Sequence, residues 1–583
     1  MRKLAAALAF VLAAFLAACS DDSSPTSAPP PSSSAASSAA ASSSAAAVLA
    51  ADQAVHAAAA ADPTGAATLT LSGASASTAA PGVKINGNTV TIAAAGVYRL
   101  TGTLNGQIVV TAPKATVTLV LDNAVITSST TAAIAAVEAG QLDVVLASGS
   151  SNSLADASSY AENADVNAAL FSAGDLTVSG DGTLTVTGNG NDGIASKDGL
   201  LIASGRLAVK AGDDGLRGKD YLVVRAGTIQ VTAGGDGLKA DNEEDAEAGF
   251  IAVAGGEVSV TAGGDGFDAA TDLVLTGGTV KVTAGGGHET APAGDPSTKG
   301  LKSGVITVLE AGTATVDASD DAVHSDGAIH LAGASVGAAS GDDGVHAEDT
   351  LRVSAGTVKV TSSVEGFEAA HVDVTGGDSS IVSSDDGLNA AGGDGGGPGG
   401  GGGEQVGDYT ATVTGGTLVI DSEGDGFDSN GTASISGGTV VVSGPSGRGN
   451  GALDVNGTFT VSGGTVFAAG SASMPVAPAE DSSQAWLAVT PDAAVPAGTT
   501  VQVTDTKGKV LATFMTHKPA ENIVFSSGAL KKDTDYRIYT GGRAGGDDVG
   551  GLASSGSLGP ARQIATVTSG VAPEGGWGRR PGR

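Results

Sequence analysis

Aromatic residues, cysteine and basic residues are all scarce in this 583-residue sequence, and each shortage excludes a class of protein. Aromatic residues make up 3% of the chain, with two tryptophans, so flat aromatic platforms that stack on crystalline polysaccharide are not expected. Cys19 is the single cysteine, which excludes intramolecular disulfides and thiolate zinc sites. Lysine and arginine total 29 against 62 acids, and the formal charge of −33 repels nucleic acids and anionic membrane surfaces. We therefore expect no nucleic-acid partner.

The N-terminus has the pattern of a bacterial export signal. MRKLAAALAFVLAAFLAACS starts with basic residues and continues with an apolar run too short to span a bilayer comfortably. The sequence LAAC resembles a lipoprotein cleavage box, at which Cys19 becomes the lipidated first residue; the alternative is an ordinary signal peptide with an incidental cysteine. Residues 1–18 are thus interpreted as a signal peptide and residues 19–65 as a Ser/Ala/Pro tether. These features predict a lipid-anchored protein on the extracellular face of a bacterial membrane, at the cell surface or in the periplasm.

A repeat dominates the sequence from about residue 175 onward. One apolar residue follows each glycine-rich turn, and most steps between these residues are 21 or 22 positions. The eleven aligned residues are Ile194, Leu216, Leu238, Phe267, Leu301, Val323, Val345, Phe367, Leu388, Phe427 and Leu453. The longer steps contain inserts at 241–249, 285–298 and 392–405.

Each repeat consists of short strands of period two between tight glycine turns, without a helical period. Such repeats bury their apolar faces against their neighbours in a stack. Crossovers between parallel strands are right-handed, so the sequence predicts an all-β right-handed parallel β-helix over residues 66–485. Residues 486–541 break the period and predict a small β cap over the last coil, where an open sheet edge would aggregate. Residues 542–583 are a Gly-rich tail, and we expect a monomer.

Acidic residues recur at the corner before each aligned position, and stacking would place them one above another. This acid row comprises Asp192, Asp214, Asp236, Asp265, Asp321, Asp343, Glu365, Asp386 and Asp425. In four repeats a second acid directly precedes the acid of the row; these residues are Asp213, Asp320, Asp342 and Asp385. Carboxylates about 5–6 Å apart repel by about 3 kcal/mol at an effective dielectric of about 20, and calcium would relieve this repulsion. Solvated turn acids without a fixed ion are the alternative.

A second row lies one residue after the aligned apolar positions and should face outward. Three further acids of this outer row, Asp268, Glu368 and Asp428, join the predicted calcium ligands. The same row holds a basic stripe of five residues, Arg217, Lys239, Lys302, His324 and His346. The stripe predicts a linear docking track for a repeating polymer, and ordinary solvated strand residues are the alternative. Calcium with lysine and arginine suits a carboxylated polysaccharide, while neutral glucans remain open through hydrogen bonds.

Several segments resemble the polysaccharide-lyase-like carbohydrate-binding domain family. They include NAALFSAGDLTVSGDGTLTVTGNGNDGIASKDGL, AGDDGLRGKD, AGGDGLKA, DASDDAVHSDG, SGDDGVHAEDTLRVSAGTVKV and the closing VFSSGALKKDTDYRIYTGG. The resemblance extends in order from about residue 66 to 541. It implies a right-handed parallel β-helix, bound calcium, and binding to cellulose or acidic polysaccharides, in a fold similar to that of calcium-dependent pectate lyases. It implies no catalytic residue.

Three functions follow from these observations. The first is non-catalytic, calcium-dependent carbohydrate binding by a lipid-anchored protein. The second is a polysaccharide lyase, in which calcium acidifies a proton and Lys239, Lys302 or Arg217 removes it. The third is a cell-surface adhesion or structural protein with another envelope component as its partner.

Overall fold

The computed structural model describes residues 43–56, 65–161, 163–292, 297–392 and 406–573. Within these ranges the fold is all-β apart from one helix, Ala45–Ala51, which confirms the all-β part of the predicted fold class. The predicted signal peptide, Cys19, most of the predicted tether and nearly all of the insert at 392–405 lie outside the described residues. No described helix is long and apolar enough to cross a membrane.

The strands of the large sheet form three stacks, because each strand pairs in parallel with the equivalent strand of the next repeat. The first stack contains Thr89–Ile92, Ala168–Ser172, Asp192–Ser196, Leu216–Gly218, Leu238–Ala240, Phe267–Ala269, Leu301–Ser303, Val323–Ser325, Leu388–Ala390, Phe427–Ser429 and Leu453–Val455. The second contains Ala67–Gly73, Asp175–Gly180, Gly199–Ile202, Tyr221–Val224, Phe250–Val253, Asp272–Leu275, Ile306–Leu309, Thr410–Val413, Thr432–Ile435 and Phe459–Val461. The third contains Ser151–Ala155, Thr183–Gly188, Arg206–Ala211, Thr228–Ala233, Glu257–Ala262, Thr279–Ala284, Thr313–Ala318, Asp378–Ser383, Thr417–Ser422, Thr439–Ser443 and Thr465–Gly470.

Six longer strands continue around a corner and belong to more than one stack. They are Gly96–Leu104, Gln107–Thr127, Ile134–Leu146, Ala328–Ser340, Val345–Ser362 and Phe367–Val374. Two short strands near the start, Ala76–Ser77 and Val83–Asn86, pair antiparallel with their neighbours. The chain therefore advances by one repeat for every three strand positions; that the repeats wind to the right stays a prediction.

The register of the first stack follows the sequence repeat. Ile194 pairs with Leu216, and the pairing continues without a slip through all eleven aligned residues to Leu453. These side chains are buried and form part of one continuous apolar core. A one-residue slip would turn this whole row outward, so burial fixes the register.

Glycine is required at the turn that leads into the third stack. Gly278 has a φ of 85°, and a Cβ atom there would lie 2.7 Å from the carbonyl oxygen of Gly256 in the preceding repeat. A side chain is excluded both by the left-handed backbone and by the close approach of the neighbouring turn.

The C-terminal end of the large sheet is closed by antiparallel strands. Asn522–Ser527 pairs antiparallel with Thr465–Gly470 and with Trp486–Val489, which ends the parallel series. A second, six-stranded antiparallel sheet contains Thr500–Asp505, Val510–Met515, Asp535–Thr540, Arg543–Val549, Leu552–Ser557 and Arg562–Thr568. Its core packs on the large sheet, with the rings of Phe467 and Phe514 stacked at 4.1 Å. Residues 543–568 are thus strands of this sheet, whereas the sequence analysis places them in a Gly-rich tail.

A segment of the predicted tether lies on the outside of the second stack. Ala45 and Val48 are buried against a patch that includes Tyr221 and Phe250. The backbone N–H of Ala45 donates to Glu310 Oε2 at 2.8 Å. The tether interpretation is therefore wrong for residues 43–56, because its small apolar side chains find a complementary surface on the sheet.

Candidate cation site

The acid row is a ladder of hydrogen bonds that joins successive repeats. Asp214 Oδ1 accepts a hydrogen bond of 2.9 Å from the backbone N–H of Asp236, whose own Oδ1 accepts one of 2.8 Å from Asp265. The same bond recurs from Lys299 to Asp265, Asp343 to Asp321, Glu365 to Asp343, Asp425 to Asp386 and Gly451 to Asp425. One carboxylate oxygen of each bonded aspartate therefore satisfies a backbone donor of the next repeat, and its second oxygen is left for another partner.

In the N-terminal part of the row, the second oxygens face the basic stripe. Lys302 Nζ lies 3.4 Å from Asp265 Oδ2 and 3.2 Å from Asp268 Oδ1. Lys239 pairs with Asp236 and lies 3.2 Å from Asp268, and Arg217 pairs with Asp241. The stripe thus neutralises the acids beside it rather than standing apart from them as a free row of donors.

The two histidines of the stripe are placed in the same way but lie deeper. His324 Nδ1 is 2.8 Å from Asp321 Oδ2, and His346 Nδ1 is 3.3 Å from Asp343 Oδ2. Only 8% and 10% of their side chains are exposed, against 24–27% for the two lysines and Arg217. Of the five predicted contacts to polymer, these two are therefore the least accessible.

Burial opposes the charge on the stripe, but the neighbouring acids outweigh it. Burial favours neutral Lys239, whereas Asp236 and Asp214 raise the pKa of its ammonium above the ordinary value. Burial likewise favours neutral His346, whereas its bonds to Asp321 and Asp343 raise its pKa to about 11. The stripe is held in its cationic form by the acids that it neutralises.

The acid row continues beyond the stripe into a second group of acids, here called the C-terminal acid cluster. It comprises Glu365, Glu368, Asp385, Asp386, Asp425 and Asp428. In the described part of the chain, no lysine or arginine forms an ion pair with any of these acids. Asn389 lies among them: its Nδ2 donates to Glu365 Oε2 at 2.7 Å, while its Oδ1 is buried without a hydrogen-bond partner.

Burial and mutual repulsion raise the pKa values of the C-terminal acid cluster. Burial and then the charge of Glu365 raise the pKa of Glu368 to about 9. Burial and then Asp425 raise the pKa of Asp386 to about 8. Burial and then Asp386 raise the pKa of Asp428 well above its ordinary value. The repulsion between these carboxylates would be relieved either by protonation or by a bound cation that accepts several oxygen ligands.

The first acids of the doubled pairs are more open than their partners. Asp213, Asp342 and Asp385 are exposed and Asp320 is half-buried. Asp320 lies 3.1 Å from the ammonium of Lys299. The structure therefore brings the predicted acids into one row, in which the first acid of each pair is more exposed to solvent than the second.

Sequence reasoning missed Lys299, whose ammonium also lies 2.7 Å from Asp321 Oδ2. The signal was available, because Lys299 stands two residues before Leu301, where the neighbouring repeats carry Asp265 and Asp321. Lys299 is thus a basic residue at a position of the repeat that an aspartate occupies in the neighbouring repeats.

Comparisons with known proteins match parts of this chain. A sequence profile of the carbohydrate-binding domain-containing protein family matches residues 86–344, a range that contains four of the five stripe residues and ends before His346 and the C-terminal acid cluster. A carbohydrate-binding domain-containing protein of Acetivibrio thermocellus is 37% identical over 136 residues, which are 22% of this chain and 48% of that protein. The chain thus spans about half the length of this curated relative.

A solved structure covers more of this chain than the curated relative does. It is the gadolinium derivative of a polysaccharide lyase-like protein from C. thermocellum, with 32% sequence identity and a TM-score of 0.37. The match covers 38% of this chain and 92% of that chain. The profile match and the curated relative identify residues 86–344 as a region of the carbohydrate-binding domain family.

Proposed function

We propose that this chain is an exported, lipid-anchored protein that binds polysaccharide along the acid row, with calcium as the bridging ion and without catalysis. We propose further that its repeats wind as a right-handed parallel β-helix. The observation that carries the function is the C-terminal acid cluster, in which mostly half-buried carboxylates raise one another's pKa without a lysine or arginine partner among the described residues. A carbohydrate-binding family member with such a cluster is suited to hold a cation against an acidic sugar.

The donors of the cluster suit calcium. Calcium takes six to eight oxygen ligands from carboxylates and amide or backbone carbonyls. Glu365, Glu368 and Asp428 supply carboxylates, and the unpartnered Oδ1 of Asn389 supplies an amide oxygen. Calcium bound there would have coordination positions to share with the carboxylates of a polyuronate, which is the substrate class we favour over cellulose.

The basic stripe has a secondary part in this proposal. Arg217, Lys239 and Lys302 keep about a quarter of their side chains exposed, so they line the track beside the acids. His324 and His346 are too deep to contribute much contact with a polymer. We therefore assign most of the attraction for an anionic glycan to bound calcium and less to the stripe.

The lyase alternative requires a base that is neutral before it removes a proton. Asp236 and Asp214 raise the pKa of Lys239, and Asp268 and Asp265 raise that of Lys302, in each case against the effect of burial. Lysines that are held protonated are poor general bases at neutral pH. The geometry favours binding over proton abstraction.

The test is retention of the purified full chain on insoluble polygalacturonate and on cellulose, in calcium and then in chelator. The double variant Glu365→Gln, Asp428→Asn is compared with Glu257→Gln, which changes an exposed acid of the third stack. We expect calcium-dependent retention on polygalacturonate by wild type and by Glu257→Gln, and at least tenfold weaker retention by the double variant. Equal retention in calcium and chelator would refute the bridging role, and no retention on either glycan would favour an envelope protein as partner.

A further inference from the structure

Ligating atoms of Asp321, His324 and His346 lie within 4.8 Å of one another, in neighbouring repeats. His346 also belongs to a second such group, with Asp343 and Glu368. Asp321 Oδ2 lies 2.8 Å from His324 Nδ1 and 3.6 Å from His346 Nδ1, and Asp343 Oδ2 lies 3.3 Å from His346 Nδ1. All four residues are buried. The imidazole rings meet edge to face with centroids 5.0 Å apart, and both Nδ1 atoms lie within 3.6 Å of Asp321 Oδ2.

We propose that Asp321, His324 and His346, with Asp343 beside His346, form a mixed nitrogen–oxygen site for a divalent transition metal such as zinc. The site adjoins the C-terminal acid cluster, because Glu368 Oε2 lies 3.9 Å from His346 Nδ1. Neighbouring ligands of a tetrahedral zinc ion with bonds of about 2.05 Å lie about 3.3 Å apart. The three separations above, 2.8, 3.3 and 3.6 Å, bracket that value. Two imidazoles also favour zinc over calcium, which prefers oxygen ligands.

The far side of each imidazole supports the same assignment. Metal-bound histidines usually donate their other ring N–H to a carboxylate, which fixes the ring and its tautomer. His324 Nε2 lies 3.0 Å from Asp326 Oδ1. His346 Nε2 is buried without a hydrogen-bond partner, and the nearest carboxylate oxygen, on Glu348, is 3.8 Å away. The carboxylates of Asp326 and Glu348 therefore occupy matching positions, two residues after each histidine.

The ammonium of Lys299 competes with a metal for Asp321. Its Nζ lies 2.7 Å from Asp321 Oδ2 and 3.1 Å from Asp320 Oδ1. When a metal takes Asp321 Oδ2, Lys299 retains Asp320 as its partner. Removal of this ammonium by Lys299→Met should therefore strengthen metal binding.

The experiment is a zinc titration of the full chain by calorimetry, after chelator treatment and in a millimolar excess of calcium. We expect one zinc site, at least tenfold weaker in His324→Gln and in His346→Gln, and tighter in Lys299→Met. His371→Gln is the matched control, because His371 lies in the same series of repeats but on the second stack. Calcium-dependent glycan retention is measured on the same samples and is expected to persist in both histidine variants, which separates this inference from the proposed function.

A second measurement uses cobalt and the wild-type chain, so it does not depend on whether a variant folds. Cobalt bound to wild type by two imidazoles and two carboxylates should give the intense visible absorption of a low-coordinate nitrogen-ligated ion, and zinc should abolish that absorption. Absence of zinc binding, or zinc that calcium displaces equally in wild type and in both histidine variants, would overturn the assignment.

Discussion

Asp236 accepts a hydrogen bond of 2.8 Å through its Oδ1 from the backbone N–H of Asp265, its counterpart in the next repeat. The acid row is therefore a structural element as well as a charged one. Each such bond satisfies a buried backbone N–H. Without the carboxylate, this N–H would have neither a protein acceptor nor water as a partner. This explains why the chain tolerates stacked carboxylates. One oxygen of each accepts a hydrogen bond that joins two repeats, and the other needs a cation or a proton to offset the repulsion between neighbouring carboxylates.

Removal of one rung of the ladder should lower stability by an amount that the conservative substitution largely avoids. Asp236→Ala leaves the N–H of Asp265 without its acceptor, and we expect a loss of about 1–3 kcal/mol in the free energy of unfolding. Asp236→Asn retains an oxygen at Oδ1 and should lose less, although it gives up the charge beside Lys239. Urea denaturation followed by circular dichroism checks the order. Equal losses in the two variants would show that the charge, and not the hydrogen bond, stabilises this corner.

The sequence predicts the stack but not how its acids are shared. Strand register follows from the 22-residue period, because burial of residues such as Leu216 and Leu238 allows only one alignment. The ladder could not be predicted, since it depends on whether a side-chain oxygen reaches the amide of the next repeat. The pairing of Lys302 with Asp265 and Asp268 is also set by turn geometry that a single sequence does not reveal.

Two segments outside the repeat show a different limit of sequence reasoning. Residues 43–56 read as a tether because Ser and Ala carry no apolar period, yet Ala45 and Val48 pack against the second stack. Residues 543–549 read as a tail because they are rich in glycine and charge, yet they form an exposed strand of the second sheet. In both cases a tertiary partner supplies the order that local propensity does not.

In chelator, stability should fall as the pH rises from 5 to 9. The folded-state pKa values of Glu368 and Asp386, about 9 and about 8, exceed the ordinary value near 4 of an unfolded carboxyl. The folded state therefore binds more protons than the unfolded state over this window, and stability that is complete below about pH 4 is lost up to about pH 9. Thermal melts in chelator check the slope. Calcium should flatten it, and a slope of opposite sign in chelator would show that these carboxyls are not crowded.

Neutralisation of one carboxylate in the C-terminal acid cluster should have opposite effects with and without calcium. The ionised form of Glu368 is disfavoured in the folded state by burial, Glu365 and Asp343, so folding at neutral pH requires this carboxyl to take up a proton. Glu368→Gln removes that cost, so the melting temperature in chelator should rise. The same change removes a proposed ligand, so the further rise on addition of calcium should shrink. Glu348→Gln is a control with the same chemical change at a more exposed site in the preceding repeat. A gain with calcium that equals that of wild type would remove Glu368 from the ligand set.

Replacement of two lysines should make the N-terminal part of the row depend on calcium as well. Lys239→Met with Lys302→Met keeps the aliphatic stems but leaves Asp236, Asp265 and Asp268 without their ammonium partners. We expect a loss of about 1–2 kcal/mol per lysine in chelator, less than for a fully buried pair because a quarter of each side chain is exposed. Calcium should restore much of this stability, because an added cation replaces the two that were removed. Lys210→Met, at an exposed position of the third stack, should change neither melt.

The same samples on polygalacturonate separate the two roles of the stripe. Weaker retention with restored stability assigns the stripe to the docking track, whereas unchanged retention leaves it as the internal counter-charge of the acid row.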